Sequence, residues 1–246
     1  SLDPARPLLA TELASFKGIV KERVAGRSIA HIIGSKEFYA VRLQTPAGVF
    51  VPRPETEELV EKTLSHLPAD CTGKLLDLCT GSGAIAISIL RERKQMTGDA
   101  VELSALGAET ALANCEEAGV DDRLTVHQVE AGEFLLKGTS TYDVITCNPP
   151  YIPSADIEGL MAEVREYEPR EALDGGPDGL DLLRKLLPAI PSRLRPSGFV
   201  MIEYDGAHQT PAVRQLLAHA GLTSIVVYKD LAGHDRIVEA AFKEVA

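Results

Sequence analysis

The chain has 246 residues, 45% of them hydrophobic and 25% charged, which suits one large globular domain with at most a small appendage. A formal net charge of −11 disfavours, without excluding, a nucleic acid partner, because gripping its backbone requires a basic face. No apolar run is long enough to span a membrane and the start has no signal-peptide pattern, so we expect a cytoplasmic protein. Cys71, Cys79, Cys115 and Cys147 lack zinc-site or disulfide spacing, which indicates free thiols and no metal.

The first predicted element is a helix over residues 8–24. Leu9, Leu13, Phe16 and Val20 recur on one stripe of that helix, and a glycine follows its end. A single helix of this length is marginal in water, so we expect the stripe to pack against another part of the protein.

A β-hairpin and a second helix come next. Residues 38–43 and 49–51 flank a Thr-Pro-Ala-Gly turn and predict the two hairpin strands. Two prolines then hold Arg53 in a fixed direction. Thr56 is the expected N-cap of a helix that runs to about residue 66, with acidic residues in its first turn.

A glycine-containing turn joins the first long strand to the next helix. Residues 74–78 form an apolar strand with Asp77 near its end, and Cys-Thr-Gly-Ser-Gly follows at residues 79–83. Glycines in such a turn let the backbone approach a ligand closely. Glu102 lies near the end of the next strand, where a carboxylate is placed to bind the two hydroxyls of a ribose.

The rest of the chain alternates strands with helices and closes with two neighbouring strands. The loop 229–235 between those strands is too short for a crossover helix, so they should pair antiparallel. We therefore predict a doubly wound α/β fold, parallel except for one inserted strand. The seven predicted strands are residues 74–78, 99–103, 124–129, 142–147, 198–203, 224–228 and 236–242. The other predicted helices are residues 84–93, 105–117, 180–187 and 210–220, and residues 154–167 are expected to be a surface loop with some helix.

Asn148-Pro-Pro-Tyr151 ends the fourth of these strands and is the most distinctive chemical feature of the chain. Pro149 keeps Asn148 out of the helical region, so its amide is held extended at the carboxyl end of a strand. The Asn148 side-chain oxygen and the Pro149 carbonyl could then accept both hydrogens of a planar –NH2 group, with Tyr151 as a flat wall. The alternative is structural, because Asn-Pro is also a common turn opener.

Two cofactor classes fit the glycine turn. Residues 81–86 satisfy the dinucleotide fingerprint G-x-G-x-x-A, which is weak evidence alone. Asp77, just before the turn, would repel a pyrophosphate and favour a cation. S-adenosylmethionine carries a sulfonium, an ammonium and a ribose for Glu102, so we expect this cofactor. Together with the closing hairpin and the Asn-Pro-Pro-Tyr stretch, the pattern resembles class I S-adenosylmethionine-dependent methyltransferases, which implies a Rossmann-like, mostly parallel seven-stranded sheet.

Five stretches carry a narrower resemblance, and they run in order through the chain: Phe50-Val-Pro-Arg-Pro-Glu-Thr-Glu-Glu-Leu-Val60, Asp77-Leu-Cys-Thr-Gly-Ser-Gly83, Asn148-Pro-Pro-Tyr151, Ala172-Leu-Asp-Gly-Gly-Pro-Asp-Gly-Leu180 and Asp230-Leu-Ala-Gly-His-Asp-Arg236. They resemble the HemK/PrmC family, the glutamine N5-methyltransferases of peptide chain release factors. The chain departs from the family pattern at Cys79, where glycine is usual, at Glu102, where aspartate is usual, and at Ala131, where some members have an aromatic residue. The family also has several N-terminal helices, of which about one is present here.

The resemblance and the patterns above together give the candidate site residues. We expect catalysis to depend on Asn148, Pro149 and Tyr151. The expected cofactor-binding residues are Asp77, Cys79, Thr80, Gly81, Ser82, Gly83, Glu102, Glu130, Ala131 and Asn148. The expected substrate-binding residues are Phe50, Arg53, Asn148, Pro149, Pro150 and Tyr151.

The resemblance implies a function and a domain plan. The expected substrate is the glutamine of the Gly-Gly-Gln loop of class I release factors, bound by a monomer with no stable nucleic acid and no membrane contact. Residues 1–33 would be the remnant of an N-terminal helical substrate-binding domain, residues 34–54 a hairpin linker and residues 55–246 the methyltransferase domain. Three alternatives stay open: methylation of adenine N6 or cytosine N4, methylation of a ribosomal-protein glutamine, and a binding module in which Asn148 is structural.

Overall fold

The computed structural model describes residues 6, 7 and 9–242, which form a seven-stranded sheet between helices, preceded by two helices and a separate hairpin. The strands are β1 Ser35–Phe38, β2 Val41–Gln44, β3 Gly73–Leu78, β4 Met96–Glu102, β5 Leu124–Gln128, β6 Tyr142–Cys147, β7 Leu194–Glu203, β8 Ser224–Lys229 and β9 Asp235–Ala241. The α-helices are α1 Ala10–Val24, α2 Ile29–Ile33, α3 Pro54–Ser65, α4 Ala84–Glu92, α5 Ala105–Ala118, α6 Ala131–Lys137, α7 Ala162–Arg165, α8 Asp181–Leu186 and α9 Thr210–His219.

The large sheet has the strand order β5-β4-β3-β6-β7-β9-β8. Its strands are parallel from β5 to β7, and β9 is inserted antiparallel between β7 and β8. The predicted α/β fold, with its antiparallel closing hairpin, is therefore confirmed. The chain leaves β3 toward β4 on one side and returns to β6 on the other, and ligands of open parallel sheets bind at such a reversal, beyond the carboxyl ends of the strands.

The central strands are buried on both faces, which explains their nearly continuous apolar sequences. In β3 the last four residues are buried, and in β6 all but Asp143 are buried. Helix α4 packs all its residues from Ala84 to Leu90 into the core on one face. This packing fixes the carboxyl ends of β3 and β6, which hold the glycine turn and Asn148.

The hairpin occurs, but its predicted strands are wrong. Strands β1 and β2 pair through a two-residue turn at Tyr39 and Ala40, both with positive φ (45° and 58°). This turn matches the right-handed twist of a hairpin and places Phe38, Val41 and Leu43 on the buried face. The sequence predicts the turn at Thr-Pro-Ala-Gly because those residues favour turns. The true turn, Tyr39-Ala40, contains no glycine that would reveal it.

Helix α1 does not bury its apolar stripe within the described residues. Leu9, Leu13, Phe16 and Val20 are 40–59% exposed, so the expectation that they pack against another element is wrong for this part of the chain. Leu8, where the predicted helix begins, lies outside the described residues. The helix is tied to the rest of the described chain by polar contacts near its carboxyl end, including an Arg23–Glu163 ion pair of 2.6 Å.

Three further local features differ from expectation. Helices α2 and α6 were not predicted; both are shorter than eight residues, too short for periodicity to reveal them. Thr56 is not an N-cap, because α3 already begins at Pro54.

Within residues 6, 7 and 9–242, no helix is both long and apolar enough to cross a membrane.

Candidate active site

The Asn-Pro-Pro-Tyr stretch leaves the carboxyl end of β6 and enters a cleft. Asn148 Nδ2 donates a hydrogen bond of 3.2 Å to Thr56 Oγ1 in the first turn of α3. Thr56 is only 2% exposed, so this contact lies at the base of the cleft. With its nitrogen turned to Thr56, the Asn148 amide has its oxygen available on the side of the cleft.

The exit of this stretch is held by the glycine-rich loop that precedes α8. Gly179 has φ +78°, and a Cβ there would lie 2.0 Å from the Tyr151 carbonyl oxygen. The side chain of Gln209 bridges the two segments, because its Nε2 donates to the carbonyls of Tyr151 (2.9 Å) and Asp178 (3.0 Å). The glycines of this loop therefore allow two backbone segments to touch, and the contact holds the Tyr151 backbone in place.

The glycine turn after β3 is built on a buried carboxylate. Asp77 accepts hydrogen bonds from Thr80 Oγ1 (2.5 Å) and Thr146 Oγ1 (2.7 Å) and is fully buried. Burial raises the pKa of Asp77 to about 6, while the two hydroxyls oppose that shift. Asp77 therefore supports the turn from below and does not line the cleft, in contrast to the direct contact with a cationic ligand that the sequence suggested.

Glu102 faces the cleft from the end of β4. Its two carboxylate oxygens accept hydrogen bonds from the backbone N–H groups of Gly81 (2.8 Å) and Ser104 (2.9 Å). A Cβ at Gly107 would lie 2.9 Å from Glu102 Cγ, so only glycine leaves room for the glutamate at its present position. The carboxylate is thus fixed in orientation, and each oxygen keeps a lone pair that a ribose hydroxyl can use.

Glu130 caps the N-terminus of α6. Its oxygens accept from the N–H groups of Gly132 and Glu133, both at 2.9 Å, and Lys185 lies 3.1 Å away. Although partial burial favours protonation, these hydrogen bonds and Lys185 keep the pKa of Glu130 below its usual value. Glu130 and the small Ala131 both line the cleft.

Arg53 is held on the wall of the cleft by an anion and an aromatic ring. Its guanidinium lies 2.6 Å from Glu168 Oε1 and stacks 4.8 Å from the centre of the Phe50 ring. The Glu168 side chain is only 1% exposed, and burial raises its pKa despite the facing guanidinium. The two prolines around Arg53 restrict its backbone, and its guanidinium pairs with Glu168, which belongs to the segment that follows Asn-Pro-Pro-Tyr.

One cleft of about 340 Å³ brings most of the predicted residues together. The predicted residues that line it are Phe50, Arg53, Cys79, Thr80, Gly81, Ser82, Glu102, Glu130, Ala131, Asn148, Pro149, Pro150 and Tyr151. Asp77 and Gly83 are behind the glycine turn instead. Sequence reasoning missed Thr56 as a cleft residue, and it missed the wall formed by Leu160, Val164 and Leu173. The sequence predicts residues 154–167 as a surface loop with some helix, and it gives no sign that this segment lines the cleft.

Solved structures share this architecture. The chain matches a ribosomal protein L11 methylase from Lactobacillus delbrueckii subsp. bulgaricus with a TM-score of 0.57 at 18% identity, over 80% of this chain and 82% of that chain. It matches the 16S rRNA N2 G1207 methyltransferase of T. thermophilus, solved with AdoMet and guanosine, with a TM-score of 0.61 at 17% identity, over 85% and 50% of the two chains. At these identities the likeness shows the fold alone, which is that of the class I methyltransferases.

Sequence relatives define the family more narrowly. Residues 40–165 match the family described as Methyltransferase small domain. The release factor glutamine methyltransferase of Caulobacter vibrioides is 38% identical over 96% of this chain and 81% of its own length, and that of Geobacter sulfurreducens is 37% identical over 95% and 80%. The chain belongs to the family of release factor glutamine methyltransferases.

The cleft residues fit S-adenosylmethionine. Glu102 offers oriented carboxylate oxygens to ribose hydroxyls, and Gly81 has open space where a side chain would stand. Ser82 Oγ is buried at the cleft without a hydrogen-bond partner within the described part of the chain, and a polar group of the cofactor can supply one. Ala131, a small residue, lines the same cleft beside the N-terminal cap of α6.

Proposed function

We propose that this protein methylates the side-chain amide nitrogen of a glutamine, the one in the Gly-Gly-Gln loop of class I peptide chain release factors. The observation that carries the proposal is the orientation of Asn148. Its Nδ2 is engaged by Thr56, so its Oδ1 and the Pro149 carbonyl can face a planar –NH2 group. The names of the relatives support a release factor as the partner.

The chemistry asked of these residues is positioning. An amide nitrogen is a poor nucleophile because its lone pair is delocalised into the carbonyl. S-adenosylmethionine supplies an electrophilic methyl group. Asn148 Oδ1 and the Pro149 oxygen accept the two N–H hydrogens, which fixes the nitrogen lone pair toward the cofactor side of the cleft. Well-oriented reacting groups can contribute about 7–11 kcal/mol of barrier reduction. The extra proton becomes acidic after transfer and leaves to water.

Glutamine suits the access to this site. Two methylenes carry its amide away from a protein backbone, and the neighbouring glycines of the loop let that backbone come close to the cleft. The net charge of −11 suits a protein partner better than a polyanion. We further infer that the enzyme acts in the cytoplasm as a monomer, with residues 1–33 and 34–54 preceding a methyltransferase domain at 55–246.

Labelled methyl transfer tests this proposal against its alternatives. The enzyme is incubated with labelled cofactor and, in separate reactions, a class I release factor, its Gln→Ala variant at the Gly-Gly-Gln loop, a ribosomal protein fraction and duplex DNA. We expect label on the unmodified release factor alone. Label on DNA, on ribosomal protein, or on the Gln→Ala variant would contradict the proposal, and cofactor binding without any transfer would favour a binding module.

A further inference from the structure

Two buried polar groups continue the hydrogen-bonded chain beyond Asn148. The first is Thr56, whose oxygen accepts from Asn148 Nδ2 at 3.2 Å. A hydroxyl carries one proton and can donate only once. Whether its oxygen is free to accept from Asn148 therefore depends on where that proton points.

The second group is Glu203, at the end of β7. It is fully buried, and its Oε1 accepts from the Tyr151 hydroxyl at 3.0 Å. Its Oε2 is buried and has no hydrogen-bond partner among the described residues. The register of β6 and β7 sets Cys147 beside Ile202, so the residues that follow, Asn148 and Glu203, lie next to each other, and Asn148 contacts Thr56. Burial raises the pKa of Glu203, while the hydroxyls of Thr56 and Tyr151 and the charge of Arg236 oppose this shift. A buried acceptor without a donor thus stands beside a hydroxyl with a proton to give.

We propose that Glu203 and Thr56 are positioning residues that fix which way the Asn148 amide faces. Thr56 donates its proton to Glu203 Oε2, so the Thr56 oxygen can only accept, and the Asn148 –NH2 must turn toward it. Asn148 Oδ1 then points into the cleft. The same carboxyl group holds the Tyr151 hydroxyl through Oε1, so one buried side chain orients both ends of the Asn-Pro-Pro-Tyr stretch.

We call this hydrogen-bonded chain, from Glu203 through Thr56 to Asn148, the relay. Its direction matters because the oxygen and the –NH2 of the Asn148 amide have nearly the same shape, so packing alone does not decide which of them faces the cleft. If Asn148 turned over, its –NH2 would meet the –NH2 of the bound glutamine, donor against donor. This inference rests on the proposed function. Only a substrate whose reacting nitrogen belongs to an –NH2 group requires the Asn148 oxygen to face it.

The substitution Glu203→Gln tests the relay with little change in shape. The new amide can keep an oxygen for Tyr151, and its –NH2 then faces Thr56 as an added donor. Thr56 would accept from it and give its own proton to Asn148, which reverses the amide. Thr56→Val removes the hydroxyl altogether, whereas Thr56→Ser retains it. Thr63→Val is the matched control, because Thr63 is equally buried on α3 but its hydroxyl bonds the Leu59 carbonyl at 2.8 Å.

Methylation of the release factor is measured for each variant as kcat and KM, together with the dissociation constant of S-adenosylmethionine and the thermal midpoint. We expect Glu203→Gln and Thr56→Val to lower kcat at least about tenfold, equivalent to about 1.4 kcal/mol, with cofactor affinity within about twofold of wild type. Thr56→Ser and Thr63→Val should stay near the wild-type kcat.

The possible outcomes separate the two proposals. Wild-type kcat in folded Glu203→Gln, or equal losses in Thr56→Val and Thr63→Val, would overturn the relay while leaving glutamine methylation intact. If Glu203→Gln does not fold, the comparison of Thr56→Val with Thr56→Ser decides the question. If the wild-type enzyme transfers no methyl group to glutamine, the proposed function fails, whatever the variants do.

Discussion

At the scale of single residues, Asn148 is the side chain on which the proposed chemistry depends most. Its amide is oriented at the end of a rigid strand, and it contacts Thr56 across 92 positions of sequence. Replacing Asn148 with alanine removes an acceptor for the reacting nitrogen, while Glu102 keeps its hydrogen bonds to the glycine turn and to Ser104.

We expect Asn148→Ala to lower kcat by roughly 100- to 1,000-fold, the scale of losing one pre-positioned hydrogen-bonding group. Steady-state kinetics and cofactor titration check this, and the affinity for S-adenosylmethionine should fall far less than kcat. A variant that keeps most of its turnover would show that the amide does not orient the nucleophile.

The pair Glu102 and Gly107 gives a second prediction at this scale. Gly107→Ala would place a Cβ 2.9 Å from Glu102 Cγ and displace the carboxylate, although alanine is the better helix former. We expect calorimetry to show cofactor affinity reduced about tenfold, a change of about 1.4 kcal/mol. Adding Glu102→Asp shortens the side chain and should restore part of the loss. If the single variant binds as wild type, Gly107 has no such role.

Asp77 predicts a pH dependence of stability. Its pKa is about 6 in the folded protein against an ordinary value of 3.8, because burial penalises its charge. Between these values the folded state holds a proton that the unfolded state has lost, so the free energy of unfolding should fall as pH rises from about 4 to 6, by up to about 1.4 kcal/mol per pH unit.

Denaturant unfolding of wild type and Asp77→Asn at several pH values isolates this contribution. The difference in unfolding free energy between the two proteins should change across that range and level off above it. A constant difference from pH 4 to 7 would mean that Asp77 is ionised throughout.

At the scale of elements, the seven strands of the large sheet could be predicted because each is an apolar run bounded by turns. The mostly parallel sheet follows from alternating strands and helices, whereas the order of its strands was not predicted. The glycine turn and Asn-Pro-Pro-Tyr could be placed at the carboxyl ends of β3 and β6 for the same reason. The hairpin register and the wall at residues 160–173 could not be predicted, since one depends on a turn without glycine and the other on packing between distant segments.

The loop before α8 gives a prediction for an element. Gly179→Ala places a Cβ 2.0 Å from the Tyr151 carbonyl oxygen, so the loop or Tyr151 must move. Gly221→Ala is a matched control: its φ is +88° against +78°, and nothing lies within 4 Å of its added Cβ. Both variants should lose stability through backbone strain, and only Gly179→Ala should also lose turnover in its folded fraction. Equal specific activities in the two folded variants would contradict a role for this loop in holding Tyr151.

At the scale of the whole molecule, the protein combines a net negative charge, a cleft at the switch of a parallel sheet and an asparagine amide held in place by Thr56. The fold and the family place this protein among the release factor glutamine methyltransferases. The claim that unites these features is that the reacting atom is the side-chain nitrogen of one glutamine.

Tandem mass spectrometry of a class I release factor, after incubation with the enzyme and S-adenosylmethionine, tests that claim most directly. The account predicts one added methyl group per release factor, located on the glutamine of the Gly-Gly-Gln loop and absent when Asn148→Ala replaces the wild-type enzyme over the same time. A methyl group on any other residue, or equal modification by the Asn148→Ala variant, would contradict it.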